Sequence, residues 1–198
     1  MTTDSGRQTP DARLQTPDSR LQTPDSRLQT SDSRLRRPRA IVLTISDSAS
    51  RGEREDLSGP AAREELETLG CEVVAVIVIP DDAETIQNKL LEHSDSDAID
   101  LIVTTGGTGL APRDVTPEAT LAVIEKLVPG LAELMRMEGM KSNPRAALSR
   151  AVAGLRKKTL IINLPGSVRG VQECLAAVAK VLGHALEVLS GNTVRCGG

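Results

Sequence analysis

Phenylalanine, tyrosine and tryptophan are absent from all 198 residues. Surfaces that stack the bases of single-stranded nucleic acid are built from aromatic rings, so any planar ligand of this chain must rest on aliphatic or peptide surface. Cysteine is scarce. Cys71, Cys174 and Cys196 are odd in number, far apart and free of CxxC spacing, which points to neither a disulfide framework nor a zinc site. His93 and His184 are the only histidines, too few for a histidine-based metal centre. The longest apolar run, Val73 to Ile79, falls well short of the ~20 residues that cross a bilayer. The N-terminus also lacks the apolar core of a signal peptide. A cytoplasmic protein with no membrane partner is expected.

Basic surface is lacking too, once the charge is divided along the chain. Residues 1–40 hold eight arginines against five aspartates, or +3, which leaves 16 basic and 22 acidic residues, or −6, for residues 41–198. Nucleic-acid binding by counterion release needs clustered Lys and Arg, so no nucleic-acid partner is expected.

What is present falls into two regions. Residues 1–39 carry a seven-residue repeat, Thr9-Pro10-Asp11-Ala12-Arg13-Leu14-Gln15 and its successors at Thr16, Thr23 and Thr30. Each unit has one leucine and three units carry a proline; a proline inside a helix costs ~3 kcal/mol, so the period is not that of a coiled coil. A disordered tail is expected. The near-identity of the units resembles a tandem repeat translated in frame, which makes a natural start nearer Ala40 the expectation, with a partner-docking arm as the alternative.

From residue 40 to 198 a single domain is expected in which strands alternate with helices. Ala40–Ile45, Cys71–Ile79, Ile99–Thr104 and Thr159–Leu164 have strand character. The second is β-branched and continuous, as for a strand covered on both faces. Ser58-Gly59-Pro60 opens a helix ending at Gly70, Asp82 caps another carrying Ile86 and Leu90, and a long helix follows Ser167 with apolar residues three and four apart. Pro129 to Arg156 reads as less regular. The fold class is α/β, a mostly parallel sheet with helices on both faces, and ligands then gather beyond the carboxyl ends of the strands.

The string from Thr104 to Glu118, TTGGTGLAPRDVTPE, carries the most chemistry. Between a strand and a helix it holds three glycines, four threonines, one arginine and two carboxylates. Glycines let backbone N–H groups close on an anion, hydroxyls add donors, and Arg113 can fork onto phosphate oxygens. Thr116-Pro117-Glu118 reads as an N-cap, a first-turn proline and a first-turn acid. The other strands lead into Ser46-Asp47-Ser48 (with Asp56, Ser58 and Gly59 shortly after), Pro80-Asp81-Asp82 and Pro165-Gly166-Ser167. Parallel topology collects Asp47, Asp81, Asp114 and Ser167 around one crevice with the glycine turn. Carboxylates beside an anion site call for a cation, and magnesium is the economical one.

Each element also has a plainer explanation. Asp47 and Asp82 can cap helices, Arg113 can pair with Asp114, Pro165-Gly166 can be an ordinary turn, and Ser149-Arg150 can be structural. Met135, Met137 and Met140 suit a core or a subunit contact. The string lacks the Gly-Lys-Ser/Thr of a P-loop and the GxGxxG of a dinucleotide fold.

Taken together, Ser46-Asp47, Asp56, Ser58-Gly59, Pro80-Asp81, TTGGTGLAPRDVTPEAT from Thr104 to Thr120, Leu148-Ser149-Arg150 and Ile162 to Ser167 resemble the molybdopterin-binding family of bacterial MogA and MoaB and the gephyrin G domain. The similarity runs from about Ile41 to Asn192 and leans to the MogA and gephyrin G branch. That resemblance implies molybdopterin adenylyltransferase activity, with ATP and molybdopterin as substrates and Mg2+ required. It places the essential acids, also the metal ligands, at Asp81 and Asp114. Thr105, Gly106, Gly107, Thr108, Gly109, Arg113, Ser149, Pro165, Gly166 and Ser167 fall to the molybdopterin phosphate and body, and Ser46, Asp47, Ser48, Ser58 and Gly59 to the nucleotide. It further implies a homotrimer and a downstream metal-insertion partner; a MoaB-like protein that binds and delivers molybdopterin without chemistry is the alternative.

Overall fold

Apolar side chains along each strand alternate between two destinations, and that period of two sets the layers. In the computed structural model, which describes residues 1–2 and 36–191, six strands form one sheet: β1 (Arg39–Ile45), β2 (Glu72–Ile79), β3 (Leu101–Thr105), β4 (Lys126–Leu127), β5 (Ala153–Arg156) and β6 (Thr159–Leu164). Their order is β2-β1-β3-β6-β5-β4. The first four are parallel, and β5 and β4 add antiparallel at one edge. Ala40, Val42, Leu101, Val103, Leu160 and Ile162 pack with helices α2 (Ser58–Thr68), α5 (Pro129–Ser142) and α6 (Val168–Leu189). Ile41, Leu43, Ile102 and Ile161 pack on the other face under α3 (Ala83–Ser94) and α4 (Thr116–Leu121). The four-residue α1 (Asp47–Ser50) follows β1 directly.

Long helix α6 illustrates how pattern becomes burial. Val171, Leu175, Val178, Leu182 and Leu186 form its buried stripe, and Ser167 caps it by accepting from the Gly170 N–H at 3.2 Å. Truncating Leu175, fully buried, to Ala costs about 2–5 kcal/mol by lost transfer and cavity formation. At the heart of the sheet, Asn163 is buried yet satisfied. Its amide donates to Thr104 Oγ1 and Thr120 Oγ1, both at 2.9 Å, and its Oδ1 accepts from the Val152 N–H at 3.3 Å. One side chain thus ties β6 to β3 and α4.

Two expectations are corrected. The stretch from Pro129 to Arg156 is not irregular: it holds the 14-residue α5, a 3-10 turn over Pro144–Leu148 and β5. Leu131, Ala132, Met135 and Gly139 make the buried face of α5. Gly130, Gly139 and the methionines dilute that stripe in the sequence, and Asn143 before Pro144 turns extended and ends the helix. Strand β2 packs on both faces, Val73 and Val76 with the α2 side and Val74, Ile77 and Ile79 with the α3 side, but it pairs only with β1 at the end of the sheet, and Val74 to Ile77 are half-buried. Thr116 is not the cap of α4. Val115 occupies that position without a side-chain bond, and Thr116 lies inside the helix.

The heptapeptide repeat and Cys196 lie outside the described residues. The described residues just ahead of residue 40 are bonded to the domain. Arg36 donates to Asp100, Arg37 donates to the carbonyls of Gly70 and Cys71 at 3.1 and 2.7 Å, and the Arg39 N–H meets Asp100 at 2.7 Å.

Candidate functional site

All four parallel strands end in connections that meet at one edge. The Ser46 N–H donates to Ile79 O at 2.9 Å and the Gly106 N–H to Leu164 O at 3.1 Å. Gly106 has φ +106° and a Cβ there would collide with Ile45 O; a Cβ on Gly166 would stand 3.1 Å from Gly106 Cα. Three connections therefore close on Gly106, and only glycine permits that approach. Gly107, at φ +61°, lies over Thr116 Oγ1 and beside Asp81 Oδ1. The Thr116 hydroxyl is buried and has no hydrogen-bond partner.

Around this glycine turn the candidate residues divide between two sides. On one side Asp47 and Asp81 clasp each other through backbone and carboxylate. The Asp47 N–H donates to Asp81 Oδ2 at 2.8 Å and the Asp81 N–H to Asp47 Oδ1 at 3.1 Å. Arg113 reaches across to Asp47 rather than pairing with its neighbour Asp114. Asp81 Oδ1 is left facing Gly107. Ser46 caps α1, accepting from the Ala49 N–H at 3.3 Å, and its Oγ lies 3.3 Å from Ser48 Oγ.

The other side is a cavity of about 250 Å³ lined by Thr108, Gly109, Ser149, Pro165 and Ser167 over an apolar floor of Ala132 and Met135. Arg136, Asn143 and Arg145 add polar groups to its wall. Arg136 is held by the carbonyls of Ser149 and Ala151 at 3.3 and 3.0 Å. Cys174 also lines it, its thiol pushed up to about 11 by burial. Leu110, Ala111, Pro112, Asp114, Val115, Glu118 and Arg150 bound a second, shallower recess of about 380 Å³. Asp114 stands there with Oδ2 accepting from the Ala111 N–H at 2.8 Å, and a Cβ on Gly109 would lie 2.8 Å from the same oxygen.

Several residues serve the frame. Thr105 is fully buried and its hydroxyl donates to Pro165 O at 2.9 Å, so it joins two connections instead of offering its proton to a phosphate. Ser58 and Gly59 are buried and held by Asp56, whose Oδ1 accepts from Ser58 N, Ser58 Oγ and Gly59 N at 3.0, 3.1 and 3.0 Å. They start α2 and present no free donor of their own to the crevice. Arg150, for which the sequence leaves a structural role and ligand contact both open, bonds to the glycine turn itself. The contributions of Arg136, Asn143 and Arg145 were hidden in the stretch read as irregular.

Whether these residues suit a divalent cation can be judged from the donors. Among the described residues no three His, Cys, Asp or Glu side chains converge, so the protein builds no closed cage. Mg2+ is ordinarily held by one or two carboxylates together with substrate phosphates, and Asp81 with Asp114 beside the glycine turn fits that partial set. No helix among the described residues is long and apolar enough to cross a membrane.

A parallel sheet whose strand ends carry a glycine turn between a carboxylate clasp and a ligand-sized cavity defines an α/β protein with a ligand crevice beyond its strand ends. Comparison with known proteins narrows the class. Residues 41–184 match the family described as "Probable molybdopterin binding domain", and the chain belongs to that family. It is 46% identical over 153 residues to the molybdopterin adenylyltransferase of Helicobacter pylori J99, covering 76% of this chain and 87% of the relative. The molybdopterin adenylyltransferase of Escherichia coli K12 is 40% identical over 155 residues, covering 73% and 75%. The crystal structure of the molybdopterin biosynthesis enzyme MoaB of Thermus thermophilus superposes with TM-score 0.73 at 52% identity, covering 77% of this chain and 96% of that one.

Proposed function

We propose that this chain is a molybdopterin adenylyltransferase of molybdenum cofactor biosynthesis. The observation that carries the proposal is the two-sided site. A glycine turn with donors to spare separates a cavity sized for a compact heterocycle from acids that stand where nucleotide phosphates need a cation.

In this mechanism the molybdopterin body lies in the cavity beside Thr108, Ser149, Pro165 and Ser167, on aliphatic surface in place of aromatic rings. Its phosphate meets the backbone N–H groups of Gly107 and Gly109, with the positive end of α6 close behind. ATP occupies the carboxylate side, against Ser46, Asp47 and Ser48. Arg113 exchanges its partner Asp47 for phosphate oxygens, with which a guanidinium pairs in a bidentate way. Asp81 and Asp114 would hold Mg2+, which when bound neutralises charge on the ATP phosphates. A molybdopterin phosphate oxygen then forms a bond to the α-phosphorus as the bond from that phosphorus to the bridging oxygen breaks, and pyrophosphate leaves. The protein's share is alignment and fixed charge, with no side-chain nucleophile.

The reading includes a cytoplasmic homotrimer that hands adenylylated molybdopterin to a metal-insertion protein; sedimentation of the purified chain checks the trimer. The deciding experiment for the chemistry supplies purified molybdopterin, ATP and magnesium and follows pyrophosphate. Stoichiometric release with formation of an adenylylated pterin is expected. Tight molybdopterin binding with no pyrophosphate would instead make the chain a binding and delivery protein.

A further inference from the structure

Arg150 lines the shallower recess while its neighbours Ser149 and Ala151 line the cavity, and it follows Ser149, the residue that caps the 3-10 turn. Its backbone N–H donates to Thr108 O at 3.0 Å and its Nε to Gly109 O at 2.6 Å. The terminal nitrogens reach Asp114 O and the Glu118 carboxylate. Gly109 and Asp114 are the two ends of an otherwise exposed excursion, Leu110 to Arg113. Within that excursion the bonds of Ala111 to Asp114 are internal, and the exposed Arg113 ties its middle to Asp47; neither fixes its two ends. The guanidinium grips both ends at once.

We propose that Arg150 is a positioning residue for adenylyl transfer: by holding the Gly109 and Asp114 carbonyls in one plane it sets where the Asp114 carboxylate stands relative to the glycine turn. The proposal rests on adenylyl transfer being the reaction of this site. Arginine suits the task because its five N–H donors lie in a rigid fork, whereas lysine offers three donors on one nitrogen and cannot span two carbonyls in the same way. Glu118 holds the far end of the fork and supplies the opposite charge.

R150K keeps the charge and loses the fork. In steady-state assays it is expected to lower kcat roughly 30- to 100-fold, the scale set by a displacement of about 1 Å at a reacting centre. KM for either substrate should move by less than about threefold, the pattern of an interaction felt in the transition state. A structural role alone would lower the melting temperature and leave kcat per folded molecule unchanged. Guanidinium ion in solution should recover part of the lost kcat in R150A and none in D114N. If R150K fails to fold, E118Q loosens only the outer anchor; faster amide exchange at Ala111 and Asp114 with a smaller drop in kcat is expected there. A kcat for folded R150K within about threefold of the unaltered chain, or E118Q with neither exchange nor kcat altered, overturns the proposal while leaving adenylyl transfer standing. An unaltered chain that releases no pyrophosphate overturns adenylyl transfer and this proposal with it.

Discussion

The two sides of the glycine turn are made of different material. The carboxylate side consists of connections only a few residues long, held by the reciprocal bonds of Asp47 and Asp81 and open enough for the Arg113 side chain to be 69% exposed. The cavity side is a packed surface whose floor belongs to α5 and to the core beneath it. Under the proposed function the difference amounts to a division of labour, the cavity selecting a ligand by shape and the carboxylate side acting through charge. Changes on the first side should therefore appear in binding, and changes on the second in turnover.

The sharpest way to break that comparison is Asp114→Asn. The amide keeps the acceptor for the Ala111 N–H and removes the negative charge. Turnover is expected to fall roughly a hundred- to a thousand-fold, the scale of losing one fixed electrostatic group, while molybdopterin affinity by titration stays within about threefold. Unchanged turnover would remove Asp114 from the mechanism. A comparable loss of molybdopterin affinity would abolish the division between the sides.

Gly107→Ala tests the turn that both sides share. At φ +61° a side chain is strained, and its Cβ would collide with Thr116 Oγ1 beside Asp81. Left-handed backbone costs ~1–2 kcal/mol and overpacking ~1–3 kcal/mol, so stability should fall by about 2 kcal/mol or more. Both binding and turnover should suffer. Adding Thr116→Ala frees the crowded space and should return the packing share and not the backbone share, measurable as a partial recovery in denaturant midpoint. Full recovery, or none, would show that the crowding at Gly107 has been misassigned.

How much of this was legible in the sequence follows the same line. The carboxylate side was, because parallel strands with polar ends must deliver Asp47, Asp81 and Asp114 to one edge whatever the packing. The meeting of Asp47 with Arg113 across connections was not, since pairing at a distance depends on where each loop folds back. Half of the cavity side was hidden for a different reason. Its floor and the wall formed by Arg136, Asn143 and Arg145 come from α5 and the turn after it, and two glycines and three methionines there weaken the helical signal. The hydroxyls were the least legible. Thr105, Thr108 and Thr116 look alike in the string, yet one ties Pro165, one lines the cavity and one is buried without a partner.

The cavity side makes its own prediction through Arg145. That side chain is exposed at the cavity wall, and no ion pair to it is present among the described residues. If molybdopterin lies there, Arg145→Ala should weaken its binding roughly five- to tenfold, the ~1 kcal/mol scale of a hydrogen bond to a charged group in a partly solvated setting. The effect should show in KM for molybdopterin and leave kcat at saturation alone. A fall in kcat with KM unmoved would place Arg145 on the chemical side and redraw the boundary.

The smallest effect, and the most direct on geometry, comes from Cys174. Burial is the larger cause of its raised value and the neighbouring Glu173 carboxylate the second, together bringing the thiol from an ordinary 9.0 to about 11. Only the thiolate is nucleophilic, so alkylation by a small reagent should be roughly a hundredfold slower than for a free thiol at pH 8 and should climb about tenfold per pH unit until the curve bends near 11. Cys71, also raised by burial, is the internal control because it is buried and does not line the cavity. Molybdopterin should slow Cys174 modification several-fold and leave Cys71 untouched, whereas ATP with magnesium should alter neither. Protection of Cys174 by ATP alone would exchange the occupants of the two sides, assigning the nucleotide to the cavity and the pterin to the acids.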